Sequence, residues 1–269
     1  MAKTTRPQAG VAPPSTDLTP RFRSLRRYNV IAALAHAVQA VVVVVLSNDF
    51  ALPVTATYLA GPPGTPGGEQ VEIVELPLGP AVAGFFALSA LFHAIVASPW
   101  GFGRYTAGLA QGHNYVRWVE YSLSSTLMII LIAQITGITD VAALLGLAGA
   151  NASMILFGWL QEKYHTPGDG GWLPFVFGCI AGAVPWLAIL VYVVSPGSTS
   201  GAEPPGFVYG IIVSIFLFFN VFALIQWLQY RPVGRFADYL RGERAYITAS
   251  LVAKTLLAWQ IFANTLVPS

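Results

Sequence analysis

A chain of 269 residues that is 55% hydrophobic and only 10% charged is not a soluble domain, which would carry about 25% charge; it reads as a polytopic membrane protein. The single cysteine, Cys179, excludes an internal disulfide or a cysteine metal site. Four scattered histidines offer no HxxxH-type pair, so no metal site is expected. There is no Gly-rich phosphate loop and no internal repeat, and no nucleic-acid partner is expected. The net charge of +2 says little until its charges are placed.

In chain order, residues 1–24 read as a polar, Pro-rich tail, disordered and without a signal peptide. Residues 25–269 follow as one seven-helix domain in the lipid bilayer, with apolar runs near 25–47, 78–99, 113–137, 140–161, 172–195, 206–230 and 244–267. The only long connection, 48–77, carries VTATYL and VEIVEL around a Pro/Gly-rich turn. That pattern predicts a β-hairpin rather than an unstructured loop. An exposed strand edge can pair with a copy of itself, which points to a homodimer.

The basic residues give the orientation. Lys3, Arg6, Arg21, Arg23, Arg26 and Arg27 precede the first span. Arg104 and Arg117 lie in or just after the second connection, Lys163 in the fourth, and Arg231, Arg235, Arg241 and Arg244 around the sixth. The first, third and fifth connections and the C-terminal tail have none. The positive-inside rule therefore predicts a cytoplasmic N-terminus and an outside C-terminus.

The one basic residue left over is Lys254, within AYITASLVAKTLLAWQIFANTLV (245–267). Counting from Arg244 at about 1.5 Å per residue puts it roughly 15 Å deep, near the midplane of a core ~30 Å thick. An intramembrane charge is costly and marks function; a buried lysine also favours attachment of a carbonyl compound as a Schiff base. Snorkelling to the interface is the plainer alternative. A cation there needs an anion, and Glu120 in the third span is the candidate at matching depth. Pairing of Glu120 with Arg117, one turn earlier, is the competing reading, although Arg117 lies close enough to the interface to reach lipid phosphates. Ser250 shares the face of Lys254 at a spacing of four. His36 and His93, in the first and second spans, are either interhelical hydrogen-bonding groups or proton acceptors.

Five strings, RWVEYSLSS (117–125), NASMILFGWLQEKY (151–164), FGCIAGAVPW (177–186), FVYGIIVSIFLFFN (207–220) and LRGERAYITASLVAK (240–254), resemble the heliorhodopsins, and closely the actinobacterial members. The similarity runs over residues 25–268, including the NDFALPVTATYLAGPPGT loop. It implies all-trans retinal on Lys254 as a protonated Schiff base, Glu120 as counterion and Ser250 beside the linkage. It further implies a polar cytoplasmic-side cavity with His36 and His93, and pocket positions Trp118, Tyr121, Ser125, Asn151, Met154, Pro185, Phe219 and Gln226. Members of the family are dimeric light sensors with inverted topology and slow photocycles, usually without ion transport. A multi-pass protein of a prokaryotic plasma membrane is expected.

The residues agree with the absence of pumping. A light-driven proton pump needs an acceptor and a donor on opposite sides of the Schiff base, normally carboxylates. Here the interior offers only Glu120, with Ser250 one turn before the lysine and Ser124 one turn after the glutamate. A photoreceptor addressing an unidentified cytosolic partner is the first expectation. A light-driven transporter, or a light-dependent regulator of a cytosolic enzyme, is the alternative. No nucleophile–base constellation suggests that the chain is itself an enzyme.

Overall fold

The computed structural model describes residues 18–194 and 205–267. Its elements are α1 (Thr19–Leu46), β1 (Ala51–Leu59), β2 (Gly68–Pro77), α2 (Leu78–Ala97), α3 (Pro99–Ala110), α4 (Tyr115–Ile135), α5 (Val141–Tyr164), α6 (Leu173–Val194), α7 (Gly206–Tyr230) and α8 (Tyr239–Ile261), the last continued by a π-helical turn, Phe262–Leu266. All the helices but α3 are long and apolar enough to cross a membrane.

One expected boundary is corrected, and one connection on which the sequence reading was silent gains structure. The first helix begins at Thr19, not near residue 25, because Pro20 sits in its first turn, where a missing N–H costs nothing; residues 1–17 of the expected tail lie outside the described residues. The second connection is no simple loop: it holds α3, capped by Ser98, whose Oγ accepts from Gly101 N at 2.9 Å, with Pro99 next. The Ser-Pro start was legible, but twelve residues are too short to register as a span.

Side-chain caps also start α4, α5 and α8. Asn114 accepts from Arg117 N at 3.2 Å, Asp140 from Ala142 N and Ala143 N at 2.9 and 3.2 Å, and Asp238 from Leu240 N at 3.1 Å. Each removes one or more of the orphan donors of a helix N-terminus.

The predicted hairpin is present: β1 and β2 pair antiparallel from Ala51↔Pro77 to Leu59↔Gly68, with an irregularity between Val54 and Thr55. Gly64 and Gly67 turn the chain with φ of 95° and 77°, a region favourable only to glycine. At the irregularity Thr55 N donates to Thr139 O at 2.9 Å and the two threonine hydroxyls lie 3.1 Å apart, so the hairpin is pinned to the α4–α5 connection.

Two ends of the bundle differ in chemistry. At the hairpin end, Phe85 and Phe86 of α2, Ile129 and Ile132 of α4, Ile211 and Ile215 of α7, and Leu257 and Ile261 of α8 form one buried apolar cluster. At the opposite end, which holds the start of α1, lies every described Lys and Arg except Lys254. The functional side chains sit between.

Candidate functional site

The buried face of α1 repeats as Leu25, Asn29, Ala32, His36 and Val43, a helical spacing that brings its two polar members against α2. From α2 come Ser89 and His93, from α4 Trp118, Glu120 and Tyr121, and from α8 Ser250 and Lys254.

Lys254 is 3% exposed and Glu120 4%. The lysine Nζ donates to Glu120 Oε1 at 3.0 Å and to Ser250 Oγ at 2.8 Å. Ser89 Oγ donates to the same Glu120 oxygen at 2.6 Å. The ammonium lies 5.3 Å from the Tyr121 ring centroid, a cation–π distance. Lys254 is fifteen positions into α8, whereas Glu120 is five into α4. A helical side chain leans toward the N-terminus of its own helix, which carries Nζ of the long lysine back to Ser250, four positions earlier.

The competing partner of Glu120 is engaged elsewhere. Arg117 is 6% exposed and does not reach toward phosphates, as its position near the helix start had suggested. Its Nη2 lies 2.7 Å from Glu162 Oε1 and its Nη1 bonds Glu243. Trp118 Nε1 and Tyr239 OH also donate to Glu162, at 2.6 and 2.7 Å, while Tyr105 OH and Asn114 Nδ2 donate to Glu243, at 2.9 and 2.8 Å. Sequence reasoning missed this cluster, because it placed only Glu120 in the membrane interior and read Arg117 as an interfacial charge. The signal was available: a basic and two acidic residues near helix ends, each within three positions of a Tyr or Trp.

His36 and His93 stack with ring centroids 5.7 Å apart and 9° between planes. His93 Nδ1 is 2.7 Å from Asn29 Oδ1, and Asn29 Nδ2 is 3.2 Å from Tyr105 OH. Both nitrogens of His36, which is wholly buried, lack a protein partner among the described residues. Buried orphans of that kind are normally satisfied by water. A cavity of about 30 Å³ lined by Asn29, His93, Arg117, Glu120 and Glu243 has room for a water molecule or two.

On the other side of Lys254 lies a much larger cavity of about 650 Å³, within the range of roughly 300–1,000 Å³ usual for small-molecule sites. Trp118, Tyr121, Ser125, Met154, Phe219 and Gln226 line it, together with Ser250 and Lys254. Asn151 and Pro185 do not. Asn151 stands behind the wall, donating to Ser125 Oγ at 2.9 Å and Thr126 Oγ1 at 3.0 Å; Pro185 is buried within α6 beside the wall residue Trp186. Sequence reasoning missed Trp186, whose indole meets Phe216 and Phe219 edge-on at 5.2 and 5.5 Å. It also missed Ser89, whose signal is a lone hydroxyl one turn before His93.

Glycine sets the cavity's shape at two points. A Cβ on Gly158 would lie 2.6 Å from the Trp118 ring, and one on Gly182 would collide with Met154 Sδ. Gln226 Nε2 donates to Gly158 O at 3.0 Å, tying α7 to this close approach. The result is an aromatic-walled, apolar chamber with one amine at its end, and Ser124 Oγ in its wall lacks a partner among the described residues. A long apolar aldehyde such as retinal fits these walls, and the amine can hold it. No group of three His, Cys, Asp or Glu suited to a metal occurs among the described residues.

A family model described as heliorhodopsin matches residues 25–266. Among solved structures, the chain is similar to the transmembrane domain of Salpingoeca rosetta rhodopsin phosphodiesterase, with a TM-score of 0.65 at 15% identity, covering 94% of this chain and 88% of that one. At that identity the likeness is one of fold. Comparison with curated proteins finds no match.

Proposed function

The chain belongs to the heliorhodopsin family, retinal-binding and light-sensing rhodopsins, and we propose that it is a signalling photoreceptor that carries all-trans retinal on Lys254 and moves no ion across the membrane. The observation that carries this reading is the Lys254 ammonium, 3.0 Å from Glu120 at the end of an apolar chamber. Retinal bound at Nζ supplies light absorption and isomerisation; the side chains around it do the rest.

Trp118, Tyr121, Met154, Phe219 and Gln226 hold and orient the polyene, with Ser125 positioned by Asn151 from behind. Glu120 is the counterion to the positive charge at Nζ, and Ser89 and Ser250 fix the pair by hydrogen bonds to the carboxylate and the nitrogen. Drawing opposite charges apart at an effective dielectric of ~20 costs on the order of 4 kcal/mol at contact distance. That stored energy is available to shift α4 and α8, which carry the two charges.

A proton leaving Nζ has a destination on the same side as the basic end. His93, His36 and the water that the His36 nitrogens call for form an internal acceptor, and return of the proton resets the site without net transport. Slow return gives a long-lived signalling state. The apolar cluster between Lys254 and the hairpin end supports the absence of a through-path, since a proton wire needs polar groups or water.

By the positive-inside rule the basic end faces the cytoplasm, in the plasma membrane of a prokaryotic cell, and an unidentified cytosolic partner receives the signal there. The exposed β2 strand, with Val71 and Ile73 open to solvent, offers an edge for a homodimer. The deciding experiment is a visible spectrum of the protein with all-trans retinal beside Lys254→Ala. A band present only with the lysine supports the reading; two folded, colourless preparations sink it.

A further inference from the structure

A second large pocket, about 790 Å³, opens at the basic end between the start of α1, the 3-10 turn Gly234–Ala237 and the start of α8. Its walls bring Arg21 of α1 together with Arg235, Arg241 and Arg244 of one distant stretch of chain, and the four serve neither Lys254 nor the Arg117 cluster. One acidic group, Asp238, faces the four guanidiniums. It bonds Arg21 and lies 3.5 Å from Arg241 Nε. Arg244 bonds Ser24 and lies 5.7 Å from the Tyr28 ring. The Arg235 guanidinium has no ion pair among the described residues. The pocket is thus preorganised, partly held open by its own contacts, and left with uncompensated positive charge.

We propose that this pocket binds the phosphate headgroup of an anionic phospholipid. Arginine forks match phosphate oxygens in geometry as well as charge. A lipid rather than a soluble anion is favoured because the pocket leads into apolar surface. Below the arginines, Tyr28 OH meets Thr248 Oγ1 at 2.6 Å across the α1–α8 seam. The next turn of each helix presents exposed Ile31 and Val252, where an acyl chain can lie. The floor of the pocket itself includes Leu25, Leu240 and Phe236.

The site also bears on regulation. Arg241 and Arg244 are in the first two turns of α8, the helix that carries Lys254. A headgroup bridging them to Arg21 of α1 ties that helix to its neighbour, so leaflet charge would set how freely α8 moves. Binding itself does not depend on the chromophore, so the test stands apart from the photoreceptor reading.

Native mass spectrometry of the detergent-solubilised full chain, titrated with phosphatidylglycerol or phosphatidylcholine, reads the site directly. A saturable phosphatidylglycerol adduct is expected, with phosphatidylcholine binding far more weakly. Removing exposed charge by R235Q/R241Q should weaken the adduct roughly fivefold per arginine, while R23Q/R27Q, equally basic but outside the pocket, should leave it unchanged. Circular dichroism with thermal melting confirms that both variants are folded, and R235K/R241K serves in place of the glutamine pair if that pair melts early, with a smaller loss expected because the bidentate forks are gone. Equal binding of the two lipids, equal loss in both glutamine variants, or retention in R235Q/R241Q overturns the proposal. Displacement of the adduct by millimolar inorganic phosphate overturns the lipid assignment in favour of a soluble anion, and displacement by an acidic peptide does so in favour of a protein partner.

Discussion

Ser89 Oγ and Lys254 Nζ donate to the same oxygen of Glu120, from α2 and α8 respectively, at 2.6 and 3.0 Å. The carboxylate is therefore held by three helices at once, and its environment is set by a serine that belongs to neither charged partner. A hydrogen bond to a buried charge contributes about 1.5–3 kcal/mol. Ser89→Ala should lose that much stability in chemical unfolding of the apoprotein. A loss within the scatter of exposed substitutions, about 0.5 kcal/mol, would show that the bond contributes little.

Glu120→Gln keeps the shape and the Ser89 contact but removes the anion. With less negative charge beside Nζ, the positive charge spreads further along the polyene. The visible band of the retinal-bound protein should move to the red. An unchanged band would remove Glu120 as counterion.

Lys254→Ala leaves a buried carboxylate without its cation, a change that costs about 3–5 kcal/mol. Adding Glu120→Gln should restore most of the loss, because the orphaned charge disappears with it. Urea midpoints of the single and double variants of the apoprotein measure this coupling. Strictly additive losses would mean the two side chains do not form an energetic pair.

Arg117→Gln strands two buried carboxylates, Glu162 and Glu243, and should cost at least as much, about 3–5 kcal/mol. Arg23→Gln, exposed at the start of α1, should stay within about 0.5 kcal/mol of the parent. Equal stability of the two variants would refute a structural role for the Arg117 cluster.

Asp238 gives the basic end a pH dependence. Partial burial raises its carboxyl pKa, but the hydrogen bond and charge of Arg21, the Leu240 N–H and Arg241 outweigh it, leaving a net value below the ordinary range. A depressed pKa contributes stability above the unfolded value, about 3.9, and loses it as pH falls through the folded value. Acid unfolding of Asp238→Asn, which can still cap α8, should be flatter than the parent below about pH 4. Parallel acid profiles would exclude the linkage.

Much of this was legible along the chain. Hydropathy found seven spans, β-branched runs around Pro and Gly found the hairpin, and a lone lysine in an apolar run found Lys254. Glu120 followed by elimination, since the cation needed an anion at its depth. Local pattern was less informative wherever a residue's role depended on helix rotation. Asn151 and Pro185 shared strings with true wall residues but face away from the cavity or lie buried beside it. Ser89 was one of many hydroxyls in apolar helices until α2 was turned against α4. Arg117 read as an interfacial charge until Glu162 and Glu243 arrived from α5 and α8 to bury it.

What the sequence determined by itself is the sorting of residues between lipid and water, because transfer free energy acts on each side chain and each helical run without reference to any partner. It also determined where charge is dear enough to mark a site. The tertiary structure alone decided which further polar groups meet: Ser89 with Glu120, Arg117 with two glutamates, and four arginines from both ends of the chain around one pocket. A buried polar group must find its partner across a helix interface. Which residues face that interface is set by the packing of whole helices, through close approaches such as Gly158 against Trp118, and not by any stretch of sequence read alone.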